Sequence, residues 1–301
     1  MTQRTLALIL MSAAQTTCAR GTQAAPLRLG TTTTVDQSGA LALVDSLQPP
    51  MPVRVVVGAS GTILRSAAAG DLDVVVTHAP SLEQRLLVEP GRAALRCPFV
   101  VSRFAIVGPA ADPAGVASAR SAADAFRRIA NVRASFISRG DSSGTHIKEL
   151  FLWKTAGVIP DGLRNSWYVQ AGGDQAATLR IADERAAYAL ADLPTFTRLQ
   201  GIRLRALFTA DTVLGNPYTL YVIRSATGNT DAMQFSTWAL GEWRTRLLAL
   251  RLPGDMPAFV TPLPPGECTV PVAWGGAGAA RAARAARAAR AARAAGAAAE
   301  R

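Results

Sequence analysis

Hydrophobic positions along the chain fall in short blocks that alternate between strand and helix spacing. Leu27 to Gly30 predicts a short strand that runs into four threonines, Thr31 to Thr34. Leu41, Val44 and Leu47 then recur at helical spacing, and Pro49-Pro50 ends that helix. Val53 to Val57 predicts a buried strand and Thr62 to Ala69 a short helix closed by Gly70. Leu72 to Val76 predicts a further strand and Leu82 to Val88 a further helix. This β-α-β-α-β order predicts a parallel sheet with helices on both faces, since parallel neighbours need a crossover. Phe99 to Val107 is a longer apolar run that stops at Gly108-Pro109.

A second set follows. It has a helix around Ala122 to Ile129, a strand over Ala134 to Ser138, and a helix over Gly144 to Ala156 with Ile147, Leu150 and Phe151 on its inner face. Then come a helix near Asp174 to Ala182 and a strand over Ala186 to Ala191. Tyr218 to Ile223 reads as a return strand, and Asp231 to Leu250 as a long closing helix. The pattern predicts an α/β protein of two lobes joined by two crossing strands. Residues 26–105 form the first part of lobe I, 106–204 form lobe II, and 205–270 return to lobe I.

Both ends break this rhythm. Arg4, the apolar run Leu6 to Ala14 and the small residues up to Ala24-Ala25 predict an export signal over residues 1–25, because the run is too short to span a bilayer. Cys18 offers lipid anchoring as a second reading, although Gln15-Thr16-Thr17 lacks the aliphatic residue that such sites favour. Without the signal, Cys97 and Cys268 remain; in an oxidising compartment they either pair or stay two separate thiols. Beyond Gly275-Gly276, arginines at 281, 284, 287, 290 and 293 recur every third residue among alanines. Each step turns about 300° around a helix, so no apolar stripe survives, and residues 271–301 read as a solvated low-complexity tail.

Composition then narrows the function. The chain of 301 residues is 49% hydrophobic and 18% charged, which suits a folded protein of two lobes. A net charge of +11 invites a nucleic-acid partner, but residues 281–301 hold six arginines against one glutamate, so almost half of the excess sits in the tail. No nucleic-acid partner is expected. Two histidines, three cysteines and no H-E-x-x-H or C-x-x-C spacing leave no predicted metal site and no cofactor. Gly58-Ala59-Ser60-Gly61 has the wrong spacing for a nucleophile elbow, and Lys148 and Lys154 stand outside any phosphate loop, so an enzyme such as a hydrolase is not expected.

Open α/β sheets bind ligands beyond the carboxyl ends of their strands. Three segments there share one character: Thr31 to Thr34, Gly58 to Thr62, and Ser138 to Thr145 (SRGDSSGT). Each sets hydroxyls and free backbone N–H groups at a helix start, where the dipole is positive. Arg139 adds a charged fork suited to an oxyanion. Singly, each segment also reads as an N-cap with a tight turn; three of them, spread over both lobes, point to an anion cleft. The candidate contacts are Thr32, Thr33, Ser60, Gly61, Arg139, Ser143, Gly144 and Thr145, with Thr34, His78 and Ser142 behind them. His78 reads equally as a packed neutral imidazole. His146 reads as a capping residue, and Tyr188 and Asp192 as structural groups near the hinge.

The stretch Ser138 to His146 (SRGDSSGTH), with Lys148-Glu149-Leu150 and Trp153-Lys154, resembles the tungstate-binding proteins of ABC uptake systems. So do Thr31 to Thr34 with Asp36, Val76-Thr77-His78-Ala79, Phe104 to Pro109, Trp167-Tyr168 and Ala187-Tyr188. The resemblance runs over about residues 27–265. It implies a two-lobed periplasmic binding protein of type II, a secreted monomer that closes on tungstate and delivers it to an ABC permease. Molybdate and phosphate are the alternative ligands. Tungstate carries no proton at neutral pH and can only accept hydrogen bonds, so its ideal lining is all donors. Phosphate-binding proteins resemble this chain around Thr77 to Pro80 but carry an aspartate in the place of His78, which favours a fully deprotonated oxyanion here. Asp141 is expected to face away from the ligand and hold Arg139.

Overall fold

The computed structural model describes residues 25–263 and 266–271. The export-signal residues 1–24, with Cys18, and the arginine-rich segment 272–301 lie outside the described residues. In chain order, β1 (Leu27–Thr32) leads into α1 (Thr33–Gln37) and α2 (Ala42–Ser46). Next come β2 (Val53–Gly58), α3 (Ser60–Ala69), β3 (Val74–Thr77) and α4 (Pro80–Glu83), which continues as a π-turn to Val88. The long strand β4 (Ala93–Gly108) leaves this lobe, and α5 (Ala122–Asn131), β5 (Phe136–Ser138), α6 (Gly144–Thr155), β6 (Tyr168–Gln170), α7 (Gln175–Glu184) and β7 (Ala189–Asp192) follow. The chain closes with α8 (Leu193–Arg198), β8 (Arg205–Phe208), β9 (Gly215–Ile223), α9 (Thr230–Trp238) and, after a second π-turn, α10 (Arg244–Ala249).

Lobe I carries the strand order β2-β1-β3-β9-β4. The first three strands are parallel, and β9 and β4 join them antiparallel. In lobe II, β5 pairs parallel with β6, and a parallel bridge from Phe136 to Tyr188 carries that pair towards β7. Strand β4 belongs to both lobes. Ala93 to Arg103 pairs with β9, whereas Phe104 to Val107 pairs with β7 and Ile106 to Gly108 with β8. The two crossing strands expected from the sequence are therefore β4 and the segment entering β9, and they lie side by side.

Three expectations need correction. Val53 to Val57 is not a fully buried strand: β2 pairs with β1 alone, and at this edge Val56 and Val57 are 39% and 40% exposed. Leu150 and Phe151 do not face inward on α6, whose buried positions are Gly144, Thr145, Glu149, Leu152 and Trp153. Glu149 rather than Leu150 points to the interior, where Tyr168 and Trp153 supply it with hydrogen bonds. The return to lobe I begins later than residue 205, because β8 pairs with the lobe II half of β4.

The lobe II core is an aromatic cluster in which the Trp153 ring lies 4.4 Å from Phe126 and 5.1 Å from Phe136. In lobe I, Trp243 packs 5.0 Å from Phe99 and donates its indole N–H to the Ala40 carbonyl at 2.9 Å. Cys97 and Cys268 form a disulfide, which with the Arg96–Thr269 bridge straps the C-terminal segment along β4. Where the lobes meet, Asp192 is buried and accepts hydrogen bonds from Ser102 on β4, Asn216 on β9 and Thr195 on α8. These four residues tie both crossing strands to lobe II.

Candidate anion-binding site between the lobes

The site is built at three helix starts. In lobe II, the chain leaves β5 at Ser138 and turns through Gly140, whose φ of +64° suits glycine and whose Cβ would lie 2.8 Å from Gln170. Arg139 is 1% exposed. Its Nη2 donates to Asp141 Oδ2 at 2.5 Å and to Thr33 Oγ1 at 3.3 Å, and its Nη1 donates to Thr34 Oγ1 at 3.4 Å. The guanidinium thus spans from lobe II to the threonines of lobe I. Asp141 uses its other oxygen to accept the Ser143 N–H at 3.1 Å, so the carboxylate is committed to the loop and the arginine.

Ser143 caps α6, accepting the His146 N–H at 3.1 Å. Gly144 donates its N–H across the interface to Ser60 Oγ at 3.2 Å. Ser60 and Gly61 open α3, and a Cβ at Gly61 would meet the Ser142 carbonyl at 3.4 Å. A Cβ at Gly144 would overlap the His78 carbonyl and stand 2.6 Å from His78 Nδ1, so the backbone of α6 closes onto lobe I only because residue 144 is glycine. The Thr145 hydroxyl and the Arg139 Nε are buried at this interface with no hydrogen-bond partner in the protein.

The four threonines divide by role. Thr31 donates to the Val76 carbonyl at 3.1 Å and belongs to the sheet. Thr32 caps α1 through the Val35 N–H at 3.3 Å. Thr33 and Thr34 meet Arg139. Of the expected contacts, Thr33, Ser60, Gly61, Arg139, Ser143, Gly144 and Thr145 come together where the lobes touch, and the second-rank residues Thr34, His78 and Ser142 join them. Thr32 stands one residue back.

Sequence reasoning missed the residues behind these walls. Glu149 is buried in lobe II, accepting from Tyr168 Oη at 2.8 Å and Trp153 Nε1 at 3.3 Å, and burial pushes its carboxyl up to about 7. Glu83 does the equivalent in lobe I, accepting from Thr77 Oγ1 at 2.8 Å and the Ala79 N–H at 2.9 Å on either side of His78; burial pushes it up as well. Asn216 receives His78 at 2.9 Å. A glutamate at the helical spacing of an inward face, such as Glu149 four residues after Thr145, is the one available signal.

Chemically the interface offers hydroxyls, helix-start amides and one guanidinium, while its nearest carboxylate is already paired. Such a lining suits a ligand that accepts hydrogen bonds and carries negative charge. Among the described residues, no group of three or more His, Cys, Asp and Glu is placed to hold a metal ion, and no helix is long and apolar enough to cross a membrane.

Residues 12–242 match the PBP superfamily domain. The tungstate-binding protein TupA of Peptoclostridium acidaminophilum is 33% identical over 227 residues, 71% of this chain and 77% of its own length. An anion-binding protein assigned to an ABC transporter of Haloferax volcanii is 37% identical over 212 residues, 66% of this chain; the match spans only 60% of that relative. Among solved structures, the tungstate ABC transporter protein of Geobacter sulfurreducens shares 38% identity with a TM-score of 0.65, covering 73% of this chain and 96% of that one. TupA of Desulfovibrio alaskensis G20 shares 30% identity with a TM-score of 0.64, covering 78% and 98%. The fold and this degree of likeness are those of binding proteins rather than enzymes, and the chain belongs to the PBP superfamily and, within it, to the family of the tungstate-binding protein TupA.

Proposed function

We propose that this protein is an extracytoplasmic solute-binding protein that closes its lobes over tungstate and passes it to an ABC permease. The observation that carries the reading is Arg139: a buried guanidinium reaching from one lobe to hydroxyls of the other, with its carboxylate partner turned to the loop. A tetrahedral dianion seated there would satisfy the unpartnered Thr145 hydroxyl and Arg139 Nε. The first turns of α3 and α6 would add free amides from opposite sides. The Cys97–Cys268 disulfide supports an oxidising compartment. Molybdate has the same shape and charge as tungstate, so the names of the relatives, not the geometry, favour tungstate.

Calorimetric titration of the exported chain with tungstate, molybdate, sulfate and phosphate tests the reading. Tungstate is expected to bind most tightly, with molybdate nearest to it; a preference for sulfate or phosphate would overturn it. Arg139→Ala should weaken binding by about 2–3 kcal/mol, roughly 30- to 150-fold in Kd, through loss of charge-assisted hydrogen bonds. An unchanged Kd would make Arg139 a structural residue. Cleavage before Pro26 is the expected processing, with lipid attachment at Cys18 as its alternative, and the intact mass of the exported protein separates the two.

A further inference from the structure

His78 Nδ1 lies 2.9 Å from Asn216 Oδ1, and the surroundings fix which of the two donates. Asn216 Nδ2 is 3.0 Å from Asp192 Oδ1 and 3.0 Å from Ser102 Oγ. Asp192 is met by donors on both oxygens, from Ser102 and Asn216 on one and from the Thr195 N–H and hydroxyl on the other. Ser102 spends its hydrogen on Asp192, so the Asn216 amide turns its NH2 to the oxygens of Asp192, Ser102 and Tyr218, the last at 3.2 Å, and Asn216 Oδ1 faces the imidazole. It follows that His78 Nδ1 carries the hydrogen in every state. The chemistry of the ring is left to Nε2, which is buried without a partner. The ring is stacked 4.8 Å from Tyr218, and its Nδ1–Cε1 edge is pressed on Gly144 at the start of α6.

A neutral ring with its hydrogen on Nδ1 presents a lone pair at Nε2. That lone pair suits an anion bearing a hydrogen and repels one that bears none. Burial, with the nearby charges of Arg139 and Lys148, lowers the His78 pKa to about 4, so the ring is neutral before a ligand arrives. The charged and titratable groups around it are Arg139 and Asp141 on the β5–α6 loop, Lys148 on α6, Tyr218 on β9, Glu83 on α4 and, through Asn216, Asp192.

From this geometry we infer that His78 is the specificity residue of the cleft and takes up one proton at Nε2 when a fully deprotonated oxyanion binds. The inference rests on the proposed oxyanion function. The proton comes from solvent onto the Nε2 lone pair, no other bond changes, and the new N–H donates to an anion oxygen while Nδ1–H stays on Asn216. A dianion beside the ring favours the charged form. A monohydrogen oxyanion would bring its own hydrogen to Nε2 and draw none from solvent. His146 is arranged oppositely: its Nδ1 accepts the Ser142 N–H at 3.1 Å, so its neutral ring already carries hydrogen on Nε2 and needs no uptake to donate.

The test is calorimetry of the whole exported protein with tungstate at pH 7 in buffers of different ionisation enthalpy, which counts protons. Wild type should take up about half a proton per tungstate at pH 7, as expected for a ring raised by about three units from its value near 4, and its affinity should fall as pH rises from 5 to 7. His78→Gln should bind tungstate with no uptake, and His146→Gln should keep the uptake. Nitrogen-15 NMR of the wild-type ring reads the same event without a substitution: Nε2 should change from the bare to the protonated form on addition of tungstate. Tungstate binding with no proton exchange, or uptake that persists in His78→Gln, overturns the inference and leaves the binding function standing. Failure to bind any tetrahedral oxyanion overturns both.

Discussion

A methyl group at position 144 would overlap the His78 carbonyl, and nothing else about residue 144 would change. Gly144→Ala is therefore a clean probe of closure. Each lobe should stay folded, because the clash arises between the lobes and not within either one. The Kd for tungstate should rise at least about tenfold as the lobes are held apart. Thermal unfolding compared with titration checks this; a normal Kd would mean that closure does not bring α6 onto His78. At the same scale, Glu149 links pH to stability. Its carboxyl is raised from an ordinary value near 4.5 to about 7, because burial disfavours the charge more than Tyr168 and Trp153 favour it. The folded state then holds a proton that the unfolded chain releases, so this contribution is full at acid pH and is lost as pH rises towards 7. Glu149→Gln should flatten the fall in Tm between pH 5 and pH 8; an unaltered pH profile would show Glu149 ionised throughout.

At the scale of elements, the alternation of strands and helices was legible where a buried strand is a run of β-branched residues, as in β3, and where a helix start carries a side-chain cap. Ser143, Ser121 and Asp174 all cap as their sequence context suggests. The cleft loops were legible for the same reason, since hydroxyls and glycines at helix starts are local features. Long-range pairing was not legible. The valines of β2 read as interior, but lateral position in a sheet is set by other strands, and β2 became an edge. The face of α6 was misread because Leu150 and Phe151 look like core, whereas the interface claims Thr145 and the interior takes Glu149 with its hydrogen-bond partners. Nor could Asn216 be found, since its role depends on β9 lying beside β4, far away in sequence.

For the whole molecule, the arrangement joins the cleft to the hinge. His78, packed on Gly144 where the lobes meet, bonds Asn216 on one crossing strand, and Asn216 bonds Ser102 on the other and Asp192 in lobe II. Lobe closure and the hydrogen bonds of the hinge are thus one connected set. The disulfide stands apart from it on lobe I, closing a span of 171 residues and pinning the C-terminal strap to β4. Its removal in Cys268→Ser should cost about 2–5 kcal/mol of stability, seen as a lower midpoint in denaturant, with tungstate affinity retained. A strong drop in affinity instead would mean that the strap sets the hinge geometry. The measurement that bears most directly on the account is the position of tungsten itself, located by anomalous diffraction in a crystal grown with sodium tungstate. The account places the metal between Arg139, Thr145 and the starts of α3 and α6, with every neighbouring group a hydrogen-bond donor. Tungsten bound elsewhere, or a carboxylate of Asp141 or Asp192 against its oxygens, would contradict it.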